Sequence, residues 1–112
     1  MKIIKVNELE SIKNPHGVNV KKLYDTDYAQ VMYVTLMPGE ALKPHTTPVD
    51  VFFYVLSGKG DVEIGNERET VTANCLVDSP ANIQHCLYNY SDEIFKVLVV
   101  KVPNPAKKKN LD

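Results

Sequence analysis

The chain has almost no charge surplus, few cysteines and no long apolar run, and each lack removes a class of function. Its 13 basic residues stand against 14 acidic ones, a formal net charge of -1. No cationic excess is left to neutralise a phosphate backbone, which argues against a dedicated nucleic-acid binder. The one basic run, Lys107-Lys108-Lys109 beside Pro103 and Pro105, reads as part of a solvated, flexible C-terminal tail over 103–112. The longest apolar stretch, Val51 to Leu56, is far too short to cross a bilayer, so no membrane association is expected. Met1 to Val6 carries lysines among its apolar residues and lacks the continuous hydrophobic core of a secretory signal. The expected compartment is therefore the cytoplasm. Cys75 and Cys86 form neither a CxxC pair nor a secreted-type disulfide framework, and both are expected as free thiols.

Internal repeats, low-complexity tracts and any sustained helical period are absent as well. Glu8 to Lys13 offers at most one helical turn or a short strand. What is present is strand signal. Val18 to Tyr24, Tyr28 to Met37, Val49 to Leu56, Asp61 to Ile64, Glu67 to Thr72 and Ile94 to Val102 are rich in Val, Ile, Thr, Tyr and Phe. Turn markers separate them: Asp25-Thr26-Asp27, Pro38-Gly39, Ser57-Gly58, Gly65-Asn66 and Ser79-Pro80. Asp61 to Thr72 reads as a hairpin in which Gly65-Asn66 supply the positive φ angles of a tight turn. A chain of 112 residues holds one domain, here all-β and either a sandwich or a barrel. Strand-rich domains need their edges covered, so a homodimer is expected, with Ile3 to Val6 and Val97 to Val102 as candidate edges.

Two motifs make the reading specific. The first runs from Pro38-Gly39-Glu40 through Lys43-Pro44-His45-Thr46-Thr47 to Phe53-Tyr54-Val55-Leu56-Ser57-Gly58. The second runs from Asn74-Cys75 through Ser79-Pro80-Ala81-Asn82 to His85 and Asn89. Together they resemble the two motifs of the cupins, and the chain is identified as a small single-domain cupin of the RmlC-like superfamily. The resemblance spans roughly Tyr28 to Val102 and implies a double-stranded β-helix, or jelly-roll, barrel. Gly39, His45 and Gly58 hold first-motif positions; Pro80, His85 and Asn89 hold second-motif positions. Asn74 and Asn82 stand where the family pattern has glycine, and Asn is the side chain most tolerant of left-handed backbone angles.

In the family, two His and a Glu from the first motif and one His from the second hold a metal. Carried onto this chain, the resemblance assigns those positions to His45, Thr47, Val51 and His85. Two imidazoles remain, while Thr47 is a poor ligand for a divalent ion and Val51 is none. Asp50 is a weak third candidate, because strand alternation turns it away from His45 unless a bulge near Pro48 shifts the register. A divalent metal (zinc, nickel, iron or manganese) is an open expectation, since such sites use three or more protein ligands. The competing reading makes His45 and His85 polar residues of a wet cavity, hydrogen-bonded to water, Thr47 or backbone.

Alternation places Val49, Val51, Phe53 and Val55 on the inner face of the first-motif strand, with Phe52 and Tyr54 outside. The expected small-molecule site thus comprises His45, Thr47, His85 and Phe53, with Tyr33 a further candidate from the preceding strand. Cys86 should face away from His85. His16 reads as a surface-loop residue, and Ser57 and Ser79 as turn residues rather than nucleophiles. Three functions stay open: a cupin binding a small molecule near His45 and His85, a metal-dependent isomerase or dioxygenase using those His as ligands, or a barrel that acts mainly as a dimeric interaction or sensor module. Fold alone does not choose among them.

Overall fold

The computed structural model describes residues 1–108, and the backbone alone for 107 and 108. A short 3-10 turn at Val6–Glu8 precedes nine strands: β1 Asn19–Asp25, β2 Gln30–Leu36, β3 Ala41–His45, β4 Asp50–Ser57, β5 Lys59–Ile64, β6 Glu67–Thr72, β7 Leu76–Ser79, β8 His85–Tyr88 and β9 Phe95–Val102. A single helical turn, α1 at Pro105–Lys108, follows. All strand pairings are antiparallel, in a five-stranded sheet of order β1-β2-β9-β4-β7 and a four-stranded sheet of order β3-β8-β5-β6. This is the all-β double-stranded β-helix expected from the motifs.

Alternation builds the core. On β4, Val51, Phe53 and Val55 are at most 3% exposed, while Phe52 and Tyr54 on the other face are half-buried. Phe95, Val97 and Val99 are the buried inner face of β9, register-paired with β4 on one side and β2 on the other. Each such apolar side chain contributes roughly 1.5–3 kcal/mol relative to staying in water. Among the described residues, no helix is long and apolar enough to cross a membrane.

Five expectations differ from the structure. Val97 to Val102 is no edge: β9 is hydrogen-bonded on both sides, so its backbone cannot recruit a second copy. Ile3 to Val6 forms no strand, and Glu8 to Lys13 is neither helix nor strand beyond the turn ending at Glu8. In the β5–β6 hairpin only Gly65 takes a positive φ, 57°, where Asn66 was expected to share it. The expected tail does not begin at 103. Asn104 is fully buried and its amide donates to Asp25 and to the Thr26 carbonyl, tying the chain end to the β1–β2 turn. Residues 109–112, with Lys109 of the basic run, lie outside the described residues.

The two asparagines in glycine positions behave as their chemistry requires, Asn74 with φ 69° and Asn82 with φ 65°. Their backbones make the turns that present β7 and β8. Asn82 donates its N–H to the Thr47 carbonyl at 2.8 Å, clamping the second motif onto the first.

Candidate functional site: a cavity behind two linked histidines

His45 reaches the interior through a register shift. Leu42 pairs with Leu87 and His45 with His85, so β3 spends three residues where β8 spends two. Pro44, which has no N–H to give to the ladder, lies in the extra stretch. Regular alternation from buried Leu42 would have aimed His45 at solvent; the shift brings it in. His85 needs no such device, since it shares the inner face of β8 with Leu87.

The two imidazoles form one hydrogen-bonded chain. His45 Nδ1 lies 2.8 Å from the Lys43 carbonyl, which only accepts, so that nitrogen carries the proton. Neutral His45 then presents a lone pair at Nε2, 3.1 Å from His85 Nε2. His85 donates from Nε2, and its Nδ1 accepts the Ser79 hydroxyl at 2.7 Å. Thr47 Oγ1 stands 3.4 Å from the same His85 Nε2. Protons thus run in one direction, Ser79 to His85 to His45 to the Lys43 carbonyl. His85 is 2% exposed and its ring meets Phe53 edge-on at 5.3 Å. Burial first, then the repulsion that a second charge would meet from His45 when that ring is protonated and from Lys101, pushes its pKa down to about 4, which keeps it neutral in this chain.

A cavity of about 290 Å³ opens beside His45. Its apolar wall comes from Val20, Met32, Val34, Leu42, Phe53 and Val99, inner-face residues of β1, β2, β3, β4 and β9. Its polar margin is Asn14, His16, His45 and Lys101. Of the sequence-expected ligand-binding set, His45 and Phe53 line this cavity. His85 and Thr47 sit one layer behind, with both His85 nitrogens engaged by protein. Tyr33 is a correction: it alternates out of phase with buried Val34 and Leu36, pairs with Leu98, and takes no part in the cavity.

Asp50 is the second correction. The register of β4 is regular from Asp50 to Val55, so buried Val51 faces in and exposed Asp50 faces out. Its Oδ1 accepts the Ala81 N–H at 2.9 Å, an anchor for the loop before β8 and not a metal ligand. The donor set at the family's metal position is therefore two imidazoles and a hydroxyl. The 3.1 Å between the Nε2 atoms suits two cis ligands of one ion, whose bonds are about 2.1 Å long. Yet no carboxylate compensates the charge, and among the described residues no group of three or more His, Cys, Asp or Glu converges. These residues do not fit a tightly held divalent ion.

Three site residues escape sequence reasoning. His16 does sit on a loop, but the loop is folded onto the barrel: Asn14 bonds the backbone of Ile12, His16 and Val18. His16 Nδ1 accepts the Lys43 N–H at 2.8 Å, and its ring lies 5.2 Å from that of His45. The backbone N–H and carbonyl of one residue, Lys43, thus hold both rings. Ser79 is more than a turn residue, being fully buried and bonded to His85. Lys101 continues the inward series of Phe95, Val97 and Val99, a signal readable in the strand's alternation. Cys86 faces the other side of β8, its thiol 3.7 Å from Glu63 and pushed up in pKa mainly by burial, so it is an unreactive free thiol, as is expected of a buried cysteine.

Comparison with known proteins agrees with this architecture. The Cupin domain family matches residues 32–101. An uncharacterized protein of Methanocaldococcus jannaschii, MJ0764, is 26% identical over 89 residues, covering 79% of this chain and 77% of its own. Its crystal structure, described as an RmlC-like cupin with a double-stranded β-helix fold, superimposes with a TM-score of 0.76 at 24% identity over 97% of this chain and 99% of that one. The TT1209 protein of Thermus thermophilus is 26% identical with a TM-score of 0.81, covering 94% of this chain and all of that one (100%). With both motifs, the barrel and the family match over most of its length, the chain belongs to the cupin family.

Proposed function

We propose that this cupin binds a small organic molecule in the cavity beside His45. The observation that carries the reading is the cavity itself: an apolar wall of about 290 Å³ with a few convergent polar groups, His16, His45 and Lys101, at its margin. Ligand sites have this composition, and a volume at the low end of their range selects a small ligand. His85, Thr47 and Ser79 support the site from behind by fixing the His45 ring.

The alternative is a metal-dependent isomerase or dioxygenase with His45 and His85 as ligands. The 3.1 Å separation of their Nε2 atoms favours it; the missing third and fourth ligands weigh against it. A six-carbon probe set tests the first reading. Titration of 15N-labelled protein with 1-hexanol, hexanoate and hexylamine should shift the amides of Val20, Val34, Leu42 and Val99 with at least one probe. If none of the three saturates those shifts, the cavity is not a ligand site.

A further inference from the structure

The cavity's polar groups are not an even mixture of donors and acceptors. His45 spends Nδ1 on the Lys43 carbonyl and Nε2 on His85. Asn14, also at the margin, spends its amide and its oxygen on its own loop. His16 accepts the Lys43 N–H at Nδ1, so in the neutral ring Nε2 carries the hydrogen and is the donor that remains. Lys101 stands on the inner face of β9, and among the described residues its ammonium has neither an acidic nor a hydrogen-bond partner. No Asp or Glu is among the residues lining the cavity.

What is left over is therefore one cation and one N–H donor, facing apolar walls, with no acceptor to match them. Resting on the reading of the cavity as a ligand site, we infer that its ligand is a small monocarboxylate with an apolar body, its carboxylate held by Lys101 and the His16 imidazole. A carboxylate offers acceptors alone, which is the complement of what the cavity leaves unused. A single ammonium balances one negative charge, and a phosphate dianion would exceed it. The apolar side chains of Val34, Leu42, Phe53 and Val99 then bury the hydrocarbon part.

Val51 sharpens the point. It occupies the position where the resemblance places the metal-binding carboxylate, and its register partner on β9 is Lys101. A carboxylate is absent and an ammonium stands next door. The charge of the site is inverted, from one that attracts a cation to one that attracts an anion.

Isothermal titration with hexanoate, 1-hexanol and hexylamine, on wild type, Lys101→Met and His16→Phe, tests this. Methionine keeps the length and packing of the lysine stem without the charge. Hexanoate should bind wild type more tightly than 1-hexanol, with hexylamine weakest. Lys101→Met should lose roughly 10- to 100-fold of hexanoate affinity, the size of a charge-assisted contact, while 1-hexanol binding is kept. His16→Phe should weaken hexanoate less than Lys101→Met does. If 1-hexanol binds and hexanoate is no tighter, or if Lys101→Met leaves hexanoate unchanged, the anion assignment is overturned while the cavity reading stands. If no probe binds wild type, both are overturned together.

Discussion

Val51 and Lys101 are register partners across β4 and β9, so an ammonium borders the apolar residue at the family's carboxylate position. In a metal-binding barrel that arrangement repels the ion it should hold, because like charges a few ångströms apart in a half-buried site are costly. Burial also holds the Lys101 ammonium below its usual pKa. Restoring the family's ligands should therefore work only partly. Thr47→His with Val51→Glu should bind nickel measurably, and adding Lys101→Met should raise that affinity roughly tenfold or more, as an ion pair competing for the new carboxylate disappears. Titration calorimetry with nickel reads this out. Equal affinity in the double and triple variants would place Lys101 outside the metal position.

Ser79 should matter for stability although it carries no chemistry. Ser79→Ala leaves the buried His85 Nδ1 without its donor and should cost about 1–3 kcal/mol in urea unfolding. A variant as stable as wild type would mean that the proton chain through His85 is not formed.

His85 gives the protein a pH dependence of definite sign. Its pKa is near 4 in the folded barrel against a reference of 6.5, so the folded state binds fewer protons between those values. Stability is complete above about pH 6.5 and is lost as the pH falls toward 4, by at most about 3 kcal/mol from this residue. His16, also lowered by burial, adds in the same direction. Melting curves at pH 7 and pH 4.5 should show His85→Gln losing less on acidification than wild type does. Parallel losses would contradict the assignment.

Asp50 is a loop anchor, and its variants should behave accordingly. Asp50→Ala removes the Ala81 contact at an exposed site and should cost about 1 kcal/mol or less, with no change in nickel or hexanoate binding. A loss of metal affinity in this variant would return Asp50 to the ligand set.

Backbone demands separate two turn positions that look alike in the motif. An added Cβ at Gly58 (φ 84°) would stand 2.1 Å from the Ile94 carbonyl oxygen, so Gly58→Ala should destabilise by roughly 2–5 kcal/mol. Asn82 already sits at φ 65°, and Asn82→Gly should stay within about 1 kcal/mol of wild type. Thermal melts of the two variants compare them directly.

The barrel was legible because its signals are local: alternation on β4, the Gly65 turn and the glycine-like asparagines each act within a few residues. The pairing of His45 with His85 was legible through the motifs alone. Strand periodicity could not supply it, since His45 turns inward by the shift around Pro44. The same strictness of alternation condemned Tyr33 and Asp50, whose neighbours Val34 and Val51 are the buried ones. His16 was out of reach because its place depends on a contact with Lys43, 27 residues away. Lys101 was within reach, yet a charged residue at a strand's end reads as solvated until its inward neighbours are counted.

Whether the His-marked cavity is a ligand site or a metal centre is the question on which the rest depends. Elemental analysis of tag-free protein, beside His45→Ala and His85→Ala, decides between them most directly. The depleted donor set predicts metal well below one ion per chain, unchanged in both variants. Near-stoichiometric metal that disappears in both would contradict it.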